Sequence, residues 1–229
     1  MTMPLHIGSL GSADLIAVAA YLLLWVGCGW LIEHPPARRQ SVTILMQDYR
    51  RDWMGEFVTR QPRIFDATLI DSLRQGTAFF ASACMIAIGG GVALIGNSER
   101  VEGLAADLTL DQAAPQIELK IILVIAFLAN ALLKFIWAHR LFGYCSILMG
   151  AVPNDPADPR ARPRAAQAAE INITGARSFN RGLRSIYFAL GALGWLFGPY
   201  GLLLSGLASA AVLMRREFTS HSRDVMLKR

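Results

Sequence analysis

The sequence predicts an all-α fold: a polytopic membrane helix bundle of about four transmembrane helices plus an amphipathic cytoplasmic surface helix. Of the 229 residues, 54% are hydrophobic and only 17% are charged, and the mean hydropathy is +0.39, unlike most soluble domains. The apolar residues form long runs, and the segments between the runs alternate between basic and acidic. Together these features are typical of a chain that crosses a bilayer several times.

The first apolar run, 13–32, matches the roughly 20 residues that a helix needs to cross a hydrocarbon core. A cleaved signal peptide is the competing interpretation. Residues 1–12 contain no Lys or Arg, the run is long for a signal sequence, and no small-x-small cleavage site follows it. We therefore expect a retained transmembrane helix.

Two further runs, 76–96 and 117–138, have the same length and character, and the third can extend further along the chain. The fourth, 186–214, is longer and is interrupted by Gly198 and Pro199. Because proline removes a helix hydrogen bond, a kink is expected there. Two full crossings need about 40 residues, so we favour one kinked span, with a re-entrant element as the alternative.

The charges of the connections predict which side of the membrane each one occupies. Connections 33–75 and 140–185 carry seven arginines each, whereas 97–118 carries one arginine and five acidic residues. Basic connections stay in the cytoplasm, so the acidic loop is expected outside. The chain then forms a single membrane domain, multi-pass in a cell inner membrane.

The basic tail after residue 214 conflicts with four spans, which would leave both termini outside. Five cations lie in the tail: Arg215, Arg216, Arg223, Lys228 and Arg229. Either a re-entrant fourth run returns the tail to the cytoplasm, or the two heavier loops determine the topology. We favour the second alternative.

One connection contains an amphipathic helix. Apolar residues recur every three or four positions from residue 42, at Leu45, Met46, Tyr49, Trp53 and Phe57. The helix is expected to lie along the membrane surface or against the bundle.

Three polar residues of the third run are the first functional candidates: Lys120, Asn130 and Lys134. Ionisable groups inside a membrane are costly and point to function, and these three can line a polar path. In the alternative interpretation, which we favour, each lysine snorkels to a membrane surface and Asn130 joins two helices.

A second candidate is a mixed-charge cluster on the cytoplasmic side. It comprises Trp53, Arg60, Arg63, Asp66 and Asp71, with Arg184 from the later connection. The cluster can hold an anionic headgroup, or its Arg–Asp pairs can attach the amphipathic helix to the bundle. Separately, Gly194, Gly198 and Pro199 are expected to mark close helix packing and the kink.

Other kinds of chemistry have little support. The four histidines are isolated, no nucleophile motif occurs, and the three cysteines form no close pair. We therefore expect no enzymatic activity, no metal and no cofactor. The positive charge flanks apolar runs without any nucleic-acid motif, so nucleic-acid binding is not expected either.

Several short segments resemble one known family. They include Arg51-Asp52-Trp53-Met54, Arg63-Ile64-Phe65-Asp66-Ala67, Lys134-Phe135-Ile136-Trp137 and Asn180-Arg181-Gly182-Leu183-Arg184. Their order resembles the bacterial and plant family of integral membrane proteins called domain of unknown function 599. The resemblance implies a four-helix membrane protein, supplies no activity, and draws attention to Arg63, Asp66, Lys134 and Arg184.

The leading functional hypothesis is a membrane interaction or scaffold protein. Its expected partners are the lipid bilayer, anionic lipid headgroups, and either a second copy of the chain or another membrane protein. The alternative is an oligomeric transporter or channel for small solutes or ions, with its polar path along the third helix.

Overall fold

The computed structural model describes residues 10–97 and 114–228, and every regular element among them is helical. The basic tail residue Arg229 and most of the predicted acidic loop lie outside the described residues. The elements in chain order are α1 (Ser12–Glu33), α2 (Val42–Phe57), α3 (Ile64–Ile95), α4 (Ala114–Gly150), α5 (Ala161–Ala192), a 3-10 turn (Leu193–Phe197), α6 (Pro199–Phe218) and α7 (His221–Met226).

Three of these helices are long and apolar enough to cross a membrane: α1, α3 and the Ile117–Gly150 part of α4. The predicted spans 13–32 and 117–138 fall within α1 and α4, and the predicted span 76–96 ends one residue beyond α3. Helices α3 and α4 are much longer than those spans, since about 30 residues of helix extend roughly 45 Å. Each therefore continues beyond the thickness of a hydrocarbon core.

Helices α4 and α5 form a long antiparallel pair. The Ser178 hydroxyl donates to the carbonyl of Lys134 at 2.9 Å, and the Cys145 thiol contacts the carbonyl of Ala168 at 3.4 Å. Close packing depends on Gly182, where an added Cβ would lie within 3 Å of the Phe135 ring. Helix α3 packs antiparallel on the other side of α4, since Thr77 contacts His139 and Gly91 faces Ile125.

The connection between α4 and α5 is a ten-residue loop at residues 151–160, which contains three prolines. Asp158 organises it by accepting hydrogen bonds from the backbone N–H of Arg160 at 2.8 Å and from its guanidinium at 2.7 Å. These bonds from Arg160 hold the pKa of Asp158 at about 2.

The prediction of one kinked span at 186–214 is wrong. The chain reverses at Gly198, whose φ of 88° is in the left-handed region that glycine tolerates, and Pro199 begins α6 instead of kinking a helix. The two arms pack against each other: the Ser205 hydroxyl donates to the carbonyl of Gly191 at 2.6 Å, and Ser209 donates to Tyr187 at 3.2 Å.

This reversal also corrects the predicted position of the tail. At one end of the molecule, the Trp195 indole donates to Asp14 at 2.7 Å, next to the turn at Gly198. At the other end, the Glu217 carboxylate accepts from the backbone N–H of Thr43 at 2.9 Å. We call these the Gly198 end and the Glu217 end. The tail lies at the Glu217 end with connection 33–75, because Arg223 donates to the carbonyl of Gln40 at 2.8 Å.

The amphipathic helix packs against the bundle. Helix α2 runs along the first turns of α5, where the Arg51 guanidinium donates to Glu170 at 2.8 Å and Arg50 bonds Asn172. With the adjoining ends of α3, α4 and α5 it encloses its own apolar core, which includes Met54, Phe57 and Phe142. We call α2 together with these ends of α3, α4 and α5 the α2–α5 bundle.

Candidate functional site

A strongly charged cleft lies between the last turns of α1 and the facing parts of α4 and α5. It has a volume of about 380 Å³. Its lining combines cations, one carboxylate and two tryptophans: Trp25, Val26, Gly29, Trp30, Glu33, His34, Asn130, Lys134, Arg181 and Arg184. Two of the three predicted polar-path residues, Asn130 and Lys134, are therefore brought together with Arg184.

Glu33, the last residue of α1, orders the two arginines of the cleft. Its carboxylate accepts from the Nε of Arg181 at 2.8 Å and pairs with the terminal nitrogens of both Arg181 and Arg184. The side chains of Glu33 and Arg184 are almost fully buried, whereas nearly half of the Arg181 side chain is exposed. The Arg181 guanidinium can thus reach a ligand while Glu33 fixes its orientation.

Lys134 contributes a cation that Glu33 does not neutralise. Within the described residues, no carboxylate lies at ion-pair distance from its ammonium group. One turn earlier on the same helix, the Asn130 amide donates to the Ser185 hydroxyl at 2.6 Å, which is the inter-helix contact expected in the second interpretation of that residue. The lining therefore carries three cations and one carboxylate, an arrangement suited to an anion.

Lys120 does not share this cleft. It lies about 15 Å from Asn130 along α4, near the Gly198 end, with its ammonium 5.9 Å from the centre of the Trp195 ring. Only 4% of its surface is exposed, so it is buried in the protein and does not snorkel to a membrane surface.

Three aromatic rings separate Lys120 from the cleft. Tyr21, Phe127 and Phe188 are buried, and their ring centres lie 5.4 to 6.2 Å apart. The Tyr21 hydroxyl donates to the carbonyl of Phe188, so even its polar group faces the protein. Within the described residues, these rings therefore stand between the two parts of the proposed polar path.

The predicted cytoplasmic cluster divides into separate groups. The indole of Trp53 donates to the Asp66 carboxylate at 2.7 Å, and Arg60 pairs with the same oxygen. Arg63 instead donates to the carbonyls of Val152 and Pro153 at 2.8 and 2.9 Å. These contacts attach the α2–α3 connection to the bundle.

Asp71 and Arg184 do not belong to that cluster. The Asp71 carboxylate is exposed and accepts from Gln75 at 2.6 Å, while Arg184 lies in the cleft. Lys134 lies sixteen residues, or about 24 Å, before the end of α4 at Gly150, and Val152, the carbonyl partner of Arg63, lies beyond that end. Asp66 and its partners are thus too far from the cleft to share an anionic headgroup with it, and the ion-pair interpretation fits them better.

Sequence reasoning missed Glu33 and Arg181 as site residues. In the sequence, Arg181 is one charge of connection 140–185 and part of a segment that resembles the family, and Glu33 is the first residue of connection 33–75. The sequence signal that could have found them is the acidic Glu33 at the end of an apolar run. A carboxylate buried at such a position needs a cationic partner.

Within the described residues, no group of three or more His, Cys, Asp or Glu side chains is arranged to hold a metal ion. The apolar helices, together with charged side chains paired between them, are those of an α-helical membrane protein. The chain belongs to the family described as proteins of unknown function, DUF599, whose model matches residues 16–222. No curated protein matches the chain, and no solved structure does.

Proposed function

We propose that the chain is a multi-pass inner-membrane interaction or scaffold protein without catalytic activity. In this proposal α1 crosses the membrane inward, α3 and α4 cross outward and back, and the second half of α5 and α6 add a further pair of crossings. Residues 176–218 are long enough for two crossings of about 20 residues each. The Gly198 end then faces outward and the Glu217 end faces the cytoplasm.

The distribution of basic residues supports this orientation. Connection 33–75, the early part of connection 140–185 and the basic tail all lie on the Glu217 side of the three apolar helices. Five crossings therefore place these three segments in the cytoplasm, in agreement with the positive-inside rule.

Apolar side chains on the α2–α5 bundle carry the interaction proposal. Ile64, Phe65 and Ile147 are each at least 64% exposed, although the proposed orientation puts them outside the hydrocarbon core. Exposed apolar groups at such positions are typical of protein interaction sites. The transporter alternative has less support, because among the described residues the rings of Tyr21, Phe127 and Phe188 stand between Lys120 and the cleft.

The test is the mass of the chain after extraction in mild detergent, measured by light scattering and native mass spectrometry. We expect complexes larger than the 25.0 kDa monomer, with a second copy or another membrane protein. Phe65→Asp should reduce their abundance several-fold. The matched control is Thr68→Asp, which adds the same charge at a nearby exposed position of α3.

A strictly monomeric chain, or equal effects of the two variants, would contradict the interaction proposal. Anion flux into liposomes that contain the purified chain, absent from empty liposomes, would instead favour the transporter alternative.

A further inference from the structure

The cleft between α1, α4 and α5 holds more positive charge than its own carboxylate can balance. Glu33 pairs with Arg181 and Arg184, and Lys134 has no acidic partner within the described part of the chain. Bringing three cations together at the edge of a low-dielectric region is unfavourable unless an anion joins them. An anion-binding site is therefore the simplest physical reason for the arrangement.

The open side of the cleft indicates how that anion arrives. Trp25, Val26 and Trp30 of α1 form part of its wall, and Val26 and Trp30 are more than half exposed. Leu133, next to Lys134 on α4, is also mostly exposed. Tryptophans and long cationic side chains concentrate at the headgroup level of membranes, so the cleft opens towards lipid and not only towards water.

We propose that this cleft binds the phosphate of an anionic phospholipid from the inner leaflet. The phosphate lies between the Lys134 ammonium and the exposed part of the Arg181 guanidinium, while Glu33 holds Arg181 and Arg184 in place. The acyl chains follow the apolar surface of α1 beside Val26 and Trp30. The inference rests on the membrane orientation proposed above, but not on the scaffold role.

A free phosphate ion would use the same cations without needing the apolar wall. The two sources are therefore separable by experiment. Charge-assisted hydrogen bonds to phosphate account for part of the affinity in both cases, and burial of acyl chains adds to it only for the lipid.

The test uses the full chain in nanodiscs of phosphatidylcholine, with and without phosphatidylglycerol. Native mass spectrometry after release into detergent counts the lipids that remain bound. We expect wild type to retain phosphatidylglycerol in preference to phosphatidylcholine, and Lys134→Met to lower that preference about tenfold, as loss of one charged contact predicts. Lys134 makes no described ion pair, so this variant should fold normally, with an unchanged thermal midpoint.

The matched control is Arg51→Met, which removes one cation from the exposed pair with Glu170 on the α2–α5 bundle. It should retain the lipid preference. Equal retention of the two lipids by wild type, or equal effects of Lys134→Met and Arg51→Met, would overturn the proposal. Release of the bound lipid by millimolar inorganic phosphate would also overturn it, because the lipid tail would then contribute nothing.

The same spectra report the oligomeric mass. A monomer that retains phosphatidylglycerol contradicts only the scaffold proposal, whereas a complex that shows no lipid preference contradicts only this inference.

Discussion

Two buried carboxylates organise the charged side chains of the molecule, one in the cleft between α1, α4 and α5 and one at the α2–α3 connection. Glu33 joins α1 to α5 through two arginines, and Asp66 joins the α2–α3 region through Trp53 and Arg60. Asp66 is fully buried, and its second oxygen has no hydrogen-bond partner among the described residues. A buried carboxylate is tolerated only where its hydrogen-bond donors are held in place. We therefore expect the contacts of Trp53 and Arg60 with Asp66 to stabilise the fold.

Replacing Asp66 with alanine should therefore destabilise the α2–α5 bundle. The indole of Trp53 and the guanidinium of Arg60 would lose their shared acceptor, at a cost of about 3 kcal/mol. Thermal unfolding in detergent should show a midpoint lower by about 5–10 °C. Asp71→Ala on the same helix is the control, because that carboxylate is exposed and bonds only Gln75; it should change stability by less than about 0.5 kcal/mol. Similar shifts for the two variants would contradict the structural role of Asp66.

At the residue level, the sequence singles out polar residues that interrupt an apolar run. Asn130 and Lys134 stand out in the third run for that reason, and both line the cleft. Glu33 and Arg181 lie where charges are ordinary, beside a span and in a basic connection. Glu33 and Arg181 meet only because α5 packs antiparallel to α4 and α1 packs beside them. Local sequence patterns do not encode that packing of separate helices.

At the level of the elements, three apolar helices and the amphipathic α2 could be predicted from periodicity and hydropathy. The hairpin of α5 and α6 could be predicted only as the re-entrant alternative to the favoured kinked span. Its first arm includes Arg177, Arg181 and Arg184, so the apolar run begins only at residue 186 and is too short for two crossings. Glu33 compensates two of those arginines, and hydropathy, which treats each residue alone, does not register such pairing.

The α5–α6 hairpin should be sensitive to any side chain added at Gly194. A Cβ there would lie 2.7 Å from the backbone carbonyl oxygen of Gly201 and would also collide with Ser205, and backbone atoms cannot move aside as a flexible side chain can. Gly194→Ala should therefore cost about 1–3 kcal/mol, measured as a lower thermal midpoint in detergent.

Gly27→Ala in α1 provides the control, because no atom lies within 4 Å of its added Cβ. Alanine favours a helix over glycine by up to about 1 kcal/mol, so this variant should be neutral or slightly more stable. If the two variants behave alike, the close contact between the arms is not formed in the protein.

At the level of the whole molecule, the reversal at Gly198 resolves the conflict over the basic tail. One kinked span would separate the tail from connection 33–75 by the thickness of a membrane. The hairpin instead brings Arg223 to Gln40 and the Tyr49 hydroxyl to the carbonyl of Met226, at 2.8 and 3.1 Å. Packing and charge distribution are then both compatible with the orientation proposed above.

That orientation predicts opposite accessibility for two introduced cysteines. Tyr200→Cys lies just after the turn at Gly198, where the native side chain is 83% exposed, and Ser222→Cys lies in the exposed tail. In intact cells a membrane-impermeant maleimide should label Tyr200→Cys and not Ser222→Cys, and after permeabilisation it should label both. Background should be low, because the native thiols of Cys28, Cys84 and Cys145 are all buried. Labelling of Ser222→Cys in intact cells would place the tail outside, and the hairpin could then not coexist with cytoplasmic basic connections.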